Sequence, residues 1–96
     1  MSKEQQIQKK IINYLEDMGA YVIKTINSNR SGIPDIICCL DGKFIAIEVK
    51  RVGGKTTPLQ EYELSKINKA GGKAKVIYSI EALKSFLRDE LTQGKG

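Results

Sequence analysis

The chain has 96 residues, a net charge of +5, 41% hydrophobic residues and 28% charged residues. That is enough for one domain with its own core. It contains no histidine, which excludes Ser-His and Cys-His nucleophilic catalysis and zinc sites built on imidazole. No segment is apolar over the roughly 20 residues that span a bilayer, and the N-terminus lacks the apolar run of a signal peptide, so we expect a cytoplasmic location.

The positive charge favours an acidic polymer as a partner, because lysine and arginine neutralise phosphates. A basic surface without any such partner is the alternative explanation, and charge alone does not decide between them.

A first helix is predicted at the N-terminus, where Ser2 and Gln5 fit a capping box and Gly19 fits the end. Glu4 lies one turn before the apolar stripe of this helix, so we expect it to point toward whatever the helix covers. A carboxylate favourably placed at a helix N-terminus is the alternative. The stripe consists of Ile7, Ile11, Leu15 and Met18.

Residues 20–26 are β-branched and aromatic and predict a strand, which the polar residues 27–31 end. Arg30 and Ser31 in this polar segment are candidates for contacts with a phosphate backbone. Such a segment is more often a solvated connection.

Two strongly apolar strands, 35–40 and 43–50, flank Asp41-Gly42, a two-residue hairpin signal. Both faces of both strands are apolar, which predicts helices on both faces of the sheet. Cys38 and Cys39 point to opposite faces, so we expect two small core residues of a reducing compartment and no disulfide between them.

A basic loop that includes Arg51 and Lys55 leads to a second helix, for which Thr57 and Gln60 form the predicted cap. Residues 73–78 predict a strand parallel to its neighbour, and Ser79 caps a last helix. The order α-β-β-β-α-β-α predicts an α/β fold with a small mixed four-stranded sheet flanked by helices. We expect one domain over 1–91 and a flexible tail over 92–96.

The hairpin register brings three ionisable groups to one end of the sheet. With a two-residue turn, Asp35 opposes Glu48, and Lys50 projects from the same face. The two carboxylates would repel by roughly 3 kcal/mol at an effective dielectric of about 20. A divalent cation such as Mg²⁺ would relieve this repulsion and could activate water. The alternative is a structural salt bridge in which Lys50 satisfies both carboxylates.

These motifs resemble a known nuclease family. Pro34-Asp35 followed after twelve residues by Glu48-Val49-Lys50 is the PD-(D/E)xK signature, and the further match of Glu4 and Gln60 resembles the VRR-NUC (virus-type replication-repair nuclease) domain. The match runs through most of the chain in family order. The resemblance implies a restriction-endonuclease-like core.

The resemblance also implies roles for individual residues. Asp35 and Glu48 would bind Mg²⁺ or Mn²⁺, with the Val49 carbonyl as a further ligand. Lys50 would be the catalytic lysine. Glu4 and Gln60 would support the metal, the water or the phosphate, with Glu4 as an additional candidate ligand, although Gln60 is also explained by capping Thr57.

Three functions are compatible with these features. The first is a Mg²⁺-dependent endonuclease that cuts branched DNA, such as four-way (Holliday) junctions, as a homodimer in DNA repair, with a bacteriophage as one source. The second is the same chemistry on duplex, nicked or flap DNA. The third is a non-catalytic basic DNA-binding module, which leaves the opposed carboxylates unexplained.

Overall fold

The computed structural model of the chain describes residues 1–26 and 30–93, without the side chains of Thr92 and Gln93. Its elements follow the predicted order α-β-β-β-α-β-α. They are α1 (Lys3–Asp17), β1 (Tyr21–Lys24), β2 (Ile36–Leu40), β3 (Lys43–Val49), α2 (Pro58–Lys69), β4 (Lys73–Ile77) and α3 (Ile80–Gln93). In this part of the chain, no helix is long and apolar enough to cross a membrane.

The predicted helix caps are present. At the start of α1, Ser2 Oγ accepts from the Gln5 backbone N–H, and Gln5 Oε1 accepts from the Ser2 N–H. Thr57 and Gln60 form the same box at the start of α2, and Ser79 Oγ accepts from the Ala82 N–H at the start of α3. These caps satisfy backbone donors that have no partner inside the helix.

The sheet has the strand order β1-β2-β3-β4. The β1–β2 and β2–β3 pairs are antiparallel, whereas β3 and β4, joined through α2, are parallel. Asp41 and Gly42 both have positive φ, at 52° and 76°, as a two-residue hairpin turn of type I′ requires. Leu40 therefore pairs with Lys43, and the predicted register is confirmed.

The core lies on one face of the sheet, beneath α1 and α3. Ile36, Ile45 and Ile47 in the central strands are fully buried, and Ile11 and Leu15 of α1 pack against this face. Helix α2 lies on the opposite face. The sheet is thus the middle layer of the molecule, and β3 has α1 on one face and α2 on the other.

Helices lie on both faces of the sheet, as predicted, but α2 covers only half of the second face. The core assignment of Cys39 is therefore wrong. Helix α2 contacts β3 and β4 but neither β1 nor β2. Cys38 is buried under α1 and α3, and burial raises the pKa of its thiol to about 11. Cys39 points to the other face, where no helix lies over it, and is exposed.

Helix α3 extends to Gln93 and so includes Thr92 and Gln93, the first two residues of the predicted tail. The division into one domain over 1–91 and a flexible tail over 92–96 stays a prediction. The remainder of the predicted tail, 94–96, lies outside the described residues, as do residues 27–29 of the loop before Arg30.

Candidate active site

The hairpin register places Asp35 one step beyond the last ladder pair, Ile36 with Ile47, and therefore opposite Glu48. Asp35 Oδ2 accepts a hydrogen bond of 2.8 Å from the Val49 backbone N–H, which ties the end of β2 to the end of β3. The carboxylate pair predicted from the sequence thus lies at one end of the two central strands.

Glu48 is a buried carboxylate, only 3% exposed. Its Oε2 lies 3.7 Å from Lys50 Nζ and accepts a 3.3 Å hydrogen bond from Gln60 Nε2. Its Oε1 is buried and has no hydrogen-bond partner among the described residues. Burial, reinforced by the negative charge of Asp35 and opposed by Lys50, raises the pKa of Glu48 to about 8.

Gln60 both caps α2 and contacts Glu48, while its predicted support of a metal, water or phosphate stays a prediction. Its Oε1 accepts from the Thr57 backbone N–H at 2.9 Å and so caps α2, while its Nε2 donates to Glu48. The same side chain starts the helix and contacts the candidate site, because the cap uses only the amide oxygen.

Glu4 lies near the site but is not grouped with the two carboxylates. Its Oε2 is 3.5 Å from the Arg51 backbone N–H, just beyond the end of β3. Within residues 1–26 and 30–93 no three His, Cys, Asp or Glu side chains come together as a metal cluster. Roles for Glu4 and for the Val49 carbonyl as metal ligands therefore stay predictions.

The four residues predicted to contact nucleic acid are exposed. One terminal nitrogen of Arg30 donates to both carboxylate oxygens of Glu63 in α2, at 2.9 and 2.7 Å. This contact offsets part of the charge of Arg30, although its side chain remains 57% exposed. Ser31, Arg51 and Lys55 lie on loops, and their role stays a prediction.

Sequence reasoning missed two polar residues next to Asp35. Gln8 of α1 and Lys24 of β1 line a cavity of about 200 Å³ of which Asp35 forms a wall. Gln8 lies one turn after Glu4 on the same helix, and this spacing was a usable signal. Lys24 had no such signal, because only the pairing of β1 with β2 brings it near Asp35.

The residues present fit a divalent cation. Mg²⁺ typically takes one or two protein carboxylates and completes its shell with water and phosphate oxygens. Asp35 and Glu48 supply two carboxylates in close contact, and the unpartnered Oε1 of Glu48 is a free oxygen ligand. Burial raises the pKa of Glu48, and the charge of Asp35 adds to the shift. A bound cation would favour the ionised form of both carboxylates.

Comparison with known proteins identifies the family. The model of the VRR-NUC domain matches residues 1–81. The chain belongs to the VRR-NUC family. A solved VRR-NUC domain structure superposes with a TM-score of 0.81 at 29% identity, over 92% of this chain and 97% of that one. This VRR-NUC chain is therefore a nuclease, an enzyme that hydrolyses phosphodiester bonds.

Two further relatives extend the comparison. "Putative nuclease p44" of Acyrthosiphon pisum secondary endosymbiont phage 1 is 31% identical over 78 residues, which cover 80% of the VRR-NUC chain and 84% of that protein. Archaeoglobus fulgidus Hjc, a Holliday junction resolvase, has a TM-score of 0.61 at 20% identity, over 78% of this chain and 67% of that one. The second likeness shows a shared fold.

Proposed function

We propose that this nuclease is a divalent-metal-dependent, structure-specific DNA endonuclease that cuts branched DNA, four-way junctions in particular, as a homodimer. The observation that carries the proposal is the buried contact of Glu48 with Asp35, with Lys50 beside it. The buried Oε1 of Glu48 has no hydrogen-bond partner among the described residues, and it would be an oxygen ligand for a bound cation.

Each residue of the site has a distinct part in this proposal. Asp35 and Glu48 would hold Mg²⁺ or Mn²⁺, which when bound activates water and stabilises charge on the phosphate. Lys50, whose side chain is 15% exposed, presents an ammonium group that can orient the attacking water and stabilise negative charge on the phosphate. Gln60 holds Glu48 in place through its 3.3 Å hydrogen bond.

Junction DNA and a homodimer are supported by symmetry and by fold. A four-way junction needs two coordinated cuts, and one chain of this size supplies one site, so a C2 dimer matches the substrate. Hjc, whose fold this chain shares, is a Holliday junction resolvase. The phage origin of p44 supports a phage gene whose product acts in the host cytoplasm.

The uncovered half of the second sheet face supports a second copy as the partner. We call this surface the apolar half-face; it consists of Tyr21, Ile23, Ile37, Cys39 and Phe44. Tyr21 is 72% exposed, and Ile23 and Phe44 are each 47% exposed. These side chains offer roughly 300–400 Å² of apolar area. That area can form the centre of an interface of about 800 Å² per partner, with polar surroundings as its rim.

A cleavage assay on labelled linear duplex, nicked, flap and four-way DNA, at one salt concentration, tests the function. We expect the wild type to cut four-way DNA fastest with Mg²⁺ or Mn²⁺ and not to cut in EDTA. Asp35→Asn, Glu48→Gln and Lys50→Ala should each lower the rate about 100-fold or more. The first two remove a metal ligand, and the third removes the ammonium group that acts on the water and the phosphate.

Asp41→Asn is the matched control, since it makes the same chemical change in the hairpin turn, where asparagine also fits positive φ. It should cut like the wild type. Undiminished cutting in EDTA, or by Asp35→Asn, would contradict the metal-dependent mechanism. Faster cutting of duplex than of four-way DNA would contradict the substrate assignment.

A further inference from the structure

A groove leads away from the active site between α1 and the edge strand β1. It is made of two cavities of about 200 and 230 Å³ that share Gln5 and Lys24. The first cavity begins at Asp35, and Gln8 lines it. The second continues along α1 past Lys9. We call this feature the α1–β1 groove.

The charges in the α1–β1 groove suit a phosphate backbone. Apart from Asp35 at its start, the charged side chains that line it are Lys9 and Lys24. Neither lysine forms a salt bridge to a carboxylate within residues 1–26 and 30–93. Both ammonium groups are exposed and can each neutralise a phosphate.

The other groups in the groove are amides that hydrogen-bond to sugar, phosphate and base edges. Gln5, Gln8 and Asn13 line it. The side-chain oxygen of Gln8 is buried and has no hydrogen-bond partner in the described part of the chain. A buried polar atom next to a cavity needs a partner, and a ligand group or a ligand-bound water molecule in the first cavity would supply one.

We propose that the α1–β1 groove binds the DNA strand to one side of the scissile phosphate. In this arrangement Lys24 contacts the phosphate nearest to the cut, Lys9 contacts a phosphate farther along, and Gln8 contacts the nucleotide that occupies the first cavity. The inference rests on the proposed function, because it places the bound strand in continuity with the Asp35 site.

Equilibrium binding of fluorescently labelled four-way DNA tests the groove, in EDTA so that the strand stays intact and at several salt concentrations. Lys24→Ala and Lys9→Ala should each weaken binding about 3- to 10-fold. Each should also reduce the slope of log affinity against log salt by about 1, because one phosphate contact is lost. Lys24→Arg should restore both quantities toward the wild-type values.

Lys10→Ala is the matched control, since Lys10 is an exposed lysine next to Lys9 on the same helix and lines neither cavity. If Lys24→Ala and Lys9→Ala bound DNA no more weakly than Lys10→Ala, the proposal that the α1–β1 groove binds the strand would be overturned. Thermal unfolding of each variant identifies any loss that comes from misfolding, and Lys24→Arg then decides whether the lost charge caused the weaker binding.

Phosphate ethylation interference gives the position of the contact. For the wild type we expect ethylation of one phosphate beside the cut to inhibit binding, and for Lys24→Ala we expect that inhibition to be lost at the same phosphate only. An unchanged interference pattern would overturn the inference. A wild type that neither binds nor cuts DNA would instead refute the proposed function itself, so the two failures are distinguishable.

Discussion

At the level of single residues, Glu48 combines opposing environments. It is nearly fully buried and close to a second carboxylate, which disfavours its charge, yet it has Lys50 and Gln60 as partners for one oxygen. A group in such surroundings destabilises the metal-free fold when it ionises. Functional chemistry is often obtained at this kind of cost to stability.

The raised pKa of Glu48 predicts that Glu48→Gln stabilises the metal-free protein, and that the gain in stability depends on pH. The folded-state pKa is about 8, above the ordinary value of 4.5. The wild type therefore loses stability as the pH rises from about 4.5 through 8, whereas the uncharged variant does not. At pH 7 the free energy of unfolding of Glu48→Gln should exceed that of the wild type by roughly 2–4 kcal/mol.

Thermal melts in EDTA at pH 5 and pH 8 measure this difference. Glu48→Gln should melt above the wild type by a larger margin at pH 8 than at pH 5. Glu81→Gln, at an exposed glutamate in the first turn of α3, provides the control. Equal margins at the two pH values would contradict the explanation.

At the level of elements, the segment that leads into Asp35 is fastened to α2. Arg30 contacts Glu63, and Gly32 packs so closely on Leu59 that a Cβ atom there would lie 2.7 Å from Leu59 Cγ and 3.0 Å from its carbonyl oxygen. The loop and the helix that carries Gln60 are therefore held together, and Gln60 in turn donates to Glu48.

Gly32→Ala should disturb both stability and catalysis. Gly32 has φ of +81°, so alanine is strained there by about 1 kcal/mol, and the contact with Leu59 adds roughly 1–3 kcal/mol. We expect a lower melting temperature and slower cleavage, because the start of α2 must move and takes Gln60 with it.

Gly53→Ala separates the two causes, since Gly53 has φ of +86° but nothing within 4 Å of the added atom. It should show the backbone strain alone. If both variants lost the same stability and activity, the contact with Leu59 would have no part in the effect.

Much of the fold and site was predictable from local patterns. The Asp41-Gly42 turn determined the register of the hairpin, and that register placed Asp35 against Glu48. The exposure of Cys39 was not predictable, because alternation along a strand says which residues share a face but not which helix covers that face. The place of Lys24 beside Asp35 depends on strand pairing across the loop, a long-range contact without a local signal.

At the level of the whole molecule, the two surfaces proposed to bind partners lie on different sides of the sheet, although the register puts Asp35 and Glu48 on the same face as Ile37. The apolar half-face is on the side of α2, whereas the α1–β1 groove opens along α1 on the other side. A second copy seated on the half-face would leave the groove free for DNA. The two surfaces share no residue, so a dimer and a DNA strand in the groove would contact different side chains.

Ile23→Glu should convert the dimer to a monomer by burying a charge at the centre of the interface. Multi-angle light scattering at several protein concentrations would show the change in mass. Tyr62→Glu, at a residue 56% exposed on α2 and outside the half-face, is the matched control and should remain dimeric. A wild type that is monomeric at every concentration, or an Ile23→Glu variant as dimeric as the wild type, would contradict this interface.

The two hydrogen bonds of Gln60 link the order of the first turn of α2 to the position of Glu48 in the active site. Among the described residues, Thr57 makes no hydrogen bond to either carboxylate. Its backbone N–H nevertheless donates to the Gln60 amide oxygen, and the nitrogen of the same amide donates to Glu48. Fraying of that turn would release Glu48 without any change at the catalytic residues. A substitution at the start of α2, outside the catalytic residues, would then cause the same loss of activity as a substitution in the active site.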